Sequence, residues 1–158
     1  MNFRDAIKLI VSILLAEAAG AAGALITAPA VATWYTTLNK PALNPPAWVF
    51  GPVWTTLYLL MGIAAFLVWR RWGSDPRVKA ALAVYLIQLF LNAIWSPVFF
   101  GLHAPGAALV VIALLWLAIV ATMVKFHPIS RAAAYLLIPY LLWVSFASYL
   151  NFSIWRLN

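Results

Sequence analysis

No cysteine occurs in this chain, which excludes disulfides, thiolate metal sites and cysteine nucleophiles. Charge is almost as scarce. Charged residues make up 8% of the sequence, against about 25% in a soluble domain. Asp5, Glu17 and Asp75 are its only acids, and they form no acid pair for proton-transfer catalysis. His103 and His127 fall in short connections with no second ligand nearby, so no metal site is expected. A Ser–His–acid set and a glycine-rich phosphate loop are also missing.

What the chain has is apolar length. Hydrophobic residues make up 66% of it, and a helix of about 20 such residues crosses a bilayer. Five runs fit: Ile7 to Thr27, Pro46 to Trp69, Val78 to Gly101, Pro105 to Phe126, and Ala132 to Trp155. Stop signals separate them, among them Arg70–Pro76, His103–Pro105 and Lys125–Pro128. No internal repeat and no linker marks a second domain. The expected fold is an all-α integral membrane protein, one bundle of five transmembrane helices with a Trp/Pro-rich first loop. Pro139 is expected to kink the fifth helix.

The basic balance, with a pI near 10.2, invites a nucleic-acid reading. The cations instead sit at the ends of the apolar runs, which is a membrane-topology signature and leaves no nucleic-acid partner. Of the ten Lys and Arg, Arg4, Lys8, Arg70, Arg71, Arg77, Lys79, Lys125 and Arg131 fall on one face. Only Lys40 and Arg156 fall on the other. The positive-inside rule puts the N-terminus in the cytoplasm and the C-terminus outside. A signal-peptide reading competes for the first run, from Arg4 and Lys8, Leu9–Leu15 and the small residues Ala16–Ala24. The apolar character continues to Ile26, as a first span should.

Trp34 to Tyr58 is a tryptophan-rich, proline-punctuated stretch leading from the first span into the second. Pro41, Pro45 and Pro46 stiffen the backbone and forbid helix across it. Its aromatic content argues against disorder, so it reads as a lid or site wall.

Inside the spans, helical spacing aligns Gln88, Asn92 and Trp95 on the third. It likewise aligns Trp54, Tyr58 and Met61 on the second, and Tyr140, Trp143, Ala147 and Leu150 on the fifth, with Asn151 alongside. Such faces can line a flat apolar pocket in which amides and phenols orient a planar ligand. They can equally be interhelical packing and hydrogen bonding. Trp34, Trp48, Trp69, Trp72 and Trp155 sit near span ends and read as an interfacial belt. Trp54, Trp95 and Trp143 lie deeper and read as pocket lining. Glu17 is the only acid within a span, with no cation at its depth. It is either a ligand or proton contact or a neutral carboxyl bonded to a neighbouring helix. Ala16, Gly20 and Ala24 recur at small-xxx-small spacing, which permits close approach within the bundle or between protomers.

These motifs, taken in order, resemble the translocator protein family (TspO/MBR, also tryptophan-rich sensory protein or peripheral benzodiazepine receptor), over nearly the whole chain. The matching pieces are Trp34-Tyr35, Leu38–Pro41, Asn44–Pro46, Gly51–Tyr58, Met61-Gly62, Asn92–Gly101, Pro139–Trp143 and Leu150–Arg156. The resemblance implies a five-helix bundle, usually a homodimer, in a bacterial cell membrane, with an outer membrane left open. It implies a pocket under the first loop for porphyrins, above all protoporphyrin IX, and for isoquinoline and benzodiazepine drugs, with no required cofactor. The site set it implies is Ala24, Phe50, Trp54, Tyr58, Asn92, Trp95, Trp143, Ala147 and Leu150. Two activities are alternatives to binding: light- and oxygen-dependent porphyrin degradation, in which Trp54 and Trp143 would act, and porphyrin or sterol transport. Five spans with one intramembrane acid and no inverted repeat give transport little support. Cholesterol is demoted because Phe152 stands where animal members carry a tyrosine. Ala42 and Leu43 depart from related loops, and Glu17 matches no hallmark of the family.

Overall fold

The computed structural model describes residues 2–158. Long apolar segments fold as helices because, without water, only a helix satisfies its own backbone. Helix α1 runs Phe3–Ala32, a short α2 Trp34–Thr37, α3 Ala47–Trp69, α4 Val78–Ser96, α5 Pro105–Phe126, α6 Arg131–Tyr135 and α7 Ile138–Leu157. A π-helical turn, Pro97–Gly101, continues α4. Among the described residues this makes five membrane-length spans of 30, 23, 24, 22 and 27 residues.

The expected spans are all present, and the differences are at prolines. The first extends past Thr27 to Ala32 and absorbs Pro29; Thr33 ends it, its hydroxyl donating to the Pro29 carbonyl at 2.9 Å. At about 1.5 Å per residue it is roughly 45 Å long, more than the ~30 Å hydrocarbon core. Pro97 brings no N–H, and Leu102 N–H reaches back to the Pro97 carbonyl at 2.9 Å, a five-residue step. The fifth span is divided rather than kinked. It breaks at Leu136–Leu137, and Pro139 lies in the first turn of α7, where its missing N–H costs least. The first loop is shorter than expected: Trp34–Thr37 is helical and only residues 38–46 are irregular.

Around the bundle α3 packs on α1, α1 on α4, α4 on α5, and α5 on α7, while α6 returns to α3. Lys8 ties the start of α1 to the Trp69 carbonyl at the end of α3, at 3.4 Å. At the opposite end Asn39 and Asn158 exchange hydrogen bonds at 2.9 and 3.0 Å. The bundle therefore has a basic end and a lid end. Close approach of α1 and α3 depends on Gly62, where an added Cβ would lie 2.6 Å from Ile13 Cα. In the connection after α3, Arg77 clasps Asp75 at 2.8 Å. Hydrogen bonds from the Arg77 side chain and backbone hold the Asp75 carboxyl down to about 2, so the clasp survives mild acid and is lost only as pH falls towards that value.

Gly62→Ala should destabilise the bundle by about 1–3 kcal/mol, because backbone rather than a flexible side chain must move. Thermal unfolding in detergent measures this, and a stability equal to wild type would contradict the packing described.

Candidate functional site

The half of the bundle nearer the basic end is filled, and the half nearer the lid is not. The filling begins with a chain of buried polar groups. Tyr58 on α3 donates its hydroxyl hydrogen to Asn92 Oδ1 on α4. Asn92 Nδ2 donates to the Tyr140 hydroxyl on α7 at 2.9 Å, and Tyr140 donates to Gln88 Oε1 at 2.9 Å. Gln88 Nε2 closes on Met61 Sδ at 3.9 Å. Tyr140 and Met61 are fully buried, and Gln88 is 1% exposed. Below this chain Tyr85, Leu89, Ile119, Phe126 and Leu137 make the main core.

Above it a cavity of about 660 Å³ opens, a volume within the ~300–1,000 Å³ of small-molecule sites. All nine site residues named from the sequence line it: Ala24, Phe50, Trp54, Tyr58, Asn92, Trp95, Trp143, Ala147 and Leu150. The helical faces read from the sequence divide at the polar chain. Trp54 and Tyr58 line the cavity while Met61 enters the core; Trp143, Ala147 and Leu150 line it while Tyr140 lies beneath. Trp54 stacks on Tyr58 with centroids 5.5 Å apart, and Phe50 meets Trp143 edge-on at 5.9 Å. Trp95 is fixed by its indole N–H, which donates to Asn151 Oδ1 at 3.1 Å. Asn151 in turn donates to the Pro105 carbonyl at 2.8 Å. The indole nitrogen of Trp143 is buried and has no acceptor among the described residues.

Sequence spacing missed part of the wall. Ile112 and Leu115 bring in the fourth span, to which no polar pattern had drawn attention. Gly20, Gly23, Thr27 and Val31 make α1 a full wall, of which the small-residue spacing was the available signal. That spacing works within the bundle: a Cβ on Gly20 would run into the Tyr58 ring, and one on Gly23 would meet Ser96 Oγ at 3.2 Å. Glu17 lines the cavity and makes no side-chain hydrogen bond or ion pair among the described residues. The expectation of a carboxyl bonded to a neighbouring helix is therefore not met.

The lid is anchored rather than loose. Trp34 stacks on His103 with centroids 4.3 Å apart and meets Phe99 edge-on at 5.7 Å. It belongs to a second apolar cluster with Phe99, Phe100 and Ile154, not to a plain interfacial belt. Trp48, Trp72 and Trp155 are exposed, as belt residues are. Tyr35 donates to Asn44 Oδ1 at 2.7 Å, and Lys40 Nζ lies 4.8 Å from the centre of the Tyr35 ring. No group of His and acids able to hold a metal occurs among the described residues.

A helical bundle with five membrane-length spans, an apolar cavity and a polar floor defines a multi-pass membrane protein with an internal site of small-molecule size. The TspO/MBR family pattern matches residues 12–156, and the chain belongs to that family. It is 46% identical over 155 residues to the tryptophan-rich protein TspO of Chlorobaculum tepidum, covering 98% of each chain. It is 47% identical over 153 residues to the tryptophan-rich protein TspO of Archaeoglobus fulgidus, covering 96% and 97%. Against the human translocator protein it is 45% identical over 126 residues, covering 79% of this chain and 75% of that one.

Asn92→Ala should cost about 1–3 kcal/mol, since it leaves the buried hydroxyls of Tyr58 and Tyr140 short of partners. Tyr58→Phe removes only one end of the chain and should cost less. Thermal unfolding of both variants in detergent gives the order, and the reverse order would show that Asn92 is not the junction.

Proposed function

We propose that the chain is a membrane receptor for porphyrins, protoporphyrin IX in particular, and for planar isoquinoline- or benzodiazepine-like molecules. The observation that carries this reading is the 660 Å³ cavity walled by Trp54, Trp95 and Trp143 over an amide and phenol floor. Indole rings offer flat, polarisable surface to a flat ligand. Asn92 and Tyr58 give its polar edge a fixed direction. The lid, held by Trp34, Tyr35 and Asn39, closes the site from water. In this reading the basic end faces the cytoplasm and the lid faces outward, in a bacterial cell membrane.

Two of these indoles, Trp54 and Trp143, are oxidisable and stand in the wall of a pigment-sized cavity, which supports a second reading. In it, bound protoporphyrin is degraded in light and oxygen, with Trp54 and Trp143 as the participating residues.

Protoporphyrin IX should quench the tryptophan emission of the wild type saturably. The Trp54→Phe/Trp143→Phe double variant should bind about tenfold more weakly, the effect of losing roughly 1.4 kcal/mol of ring contact. An unchanged affinity would remove these two as the site. Loss of the porphyrin absorbance on illumination, in the wild type but not in the double variant, would select the degrading activity over binding alone.

A further inference from the structure

The wall of the cavity carries one ionisable acid, Glu17, and no Lys, Arg or His. Its position is set by α1. The cavity runs along this helix from Glu17 to Val31, a rise of about 21 Å. On each of the other helices the lining residue nearest the basic end is Tyr58, Asn92, Leu115 or Trp143. Glu17 thus stands at the deep end, with the polar floor. It lies one helical turn before Gly20, the position at which the Tyr58 ring packs onto α1. The other lining residues at this level include the Tyr58 phenol, the Asn92 amide and the Trp143 indole, none of which neutralises a carboxylate. Towards the mouth a cation, Lys40, lies over the ring of Tyr35, which itself lines the cavity.

We infer that Glu17 is a specificity-determining carboxylate, and that the deep end of the cavity takes a planar apolar ligand carrying a protonated amine. This rests on the reading of the cavity as a ligand site and adds a direction to it. A carboxylate without a counter-charge in a low-dielectric wall is costly. A ligand ammonium at that level relieves the cost for both partners, and a ligand carboxylate there raises it. A neutral macrocycle is indifferent to the difference. A diacid such as protoporphyrin IX must enter with its acid groups turned back towards Lys40 and the mouth. A single negative charge at the floor therefore orders ligands by charge while the rings recognise shape.

Three porphyrins with one macrocycle separate these contributions: the free diacid, its dimethyl ester, and a diamide bearing two tertiary amines. Each is titrated into full-length wild type and Glu17→Gln in nanodiscs of zwitterionic lipid at neutral pH. The wild type should favour the amine over the ester. The Gln variant should lower that affinity ratio by about tenfold and raise the diacid relative to the ester. An equal amine-to-ester ratio in the two proteins overturns the proposal. Retained ester binding shows that the variant's cavity is intact. If the variant loses the ester as well, Glu17→Asp decides, since it keeps the charge and must keep the amine preference; loss of that preference overturns the proposal. Wild type that binds all three alike leaves the cavity reading standing and removes the role of Glu17. Wild type that binds none removes both.

Discussion

The structure depends on the hydrogen-bonded chain Tyr58–Asn92–Tyr140–Gln88, which joins three of the five spans through groups that have no water to turn to. In hydrocarbon an unpaired phenol or amide is expensive, so the three helices are held at one level and in one rotation. Everything below that level packs as apolar core. Above it the helices are joined by fewer polar contacts, Trp95 to Asn151 and Asn151 to the Pro105 carbonyl, and they part around the cavity. The cavity floor and the bundle's strongest cross-link are one object. A ligand resting on Asn92 or Tyr58 would touch the groups that hold α3, α4 and α7 together.

The lid end is organised differently, by rings. Pro97 forces a π turn that places Phe99 and Phe100 side by side, with centroids 4.8 Å apart. Trp34 and Tyr35 settle on that pair. The chain beyond them can then be irregular, because its ends are fixed: α2 on the aromatic cluster, Asn39 on Asn158, Asn44 on Tyr35. His103 sits at φ 52, a conformation rare for a side-chain-bearing residue, and its ring is held by the stack on Trp34. The floor is thus fixed by hydrogen bonds and the lid end by aromatic contact together with the Asn39–Asn158 and Tyr35–Asn44 hydrogen bonds, with the empty volume between.

The spans were legible in the sequence because a bilayer demands length and apolarity, and both are local properties. The polar faces were legible for the same reason: Asn92, Tyr58 and Trp143 stand out against leucine and alanine. The division of each face between core and cavity was not legible. Tyr140 and Trp143 are three residues apart on one stripe, and only the neighbouring helices decide that one is sealed and the other is wall. Ile112 and Leu115 gave no signal at all, since an apolar side chain facing a cavity looks like one facing lipid. The behaviour of prolines was equally non-local. Pro29 is absorbed, Pro97 becomes a π turn and Pro139 opens a new helix, according to which carbonyls can find another donor.

The small residues of α1 have a consequence of their own. Ala19, Gly20, Gly23 and Ala24 present almost no side chain to the cavity they line. Ala19 and Ala24 are places where one methyl group more or less changes the bore of the site, whereas a methyl at Gly20 would press on the Tyr58 ring itself. Gauge and grip are thereby carried by different helices. A lineage can rebore α1 for a bulkier or slimmer guest and leave α3, α4 and α7 as they are.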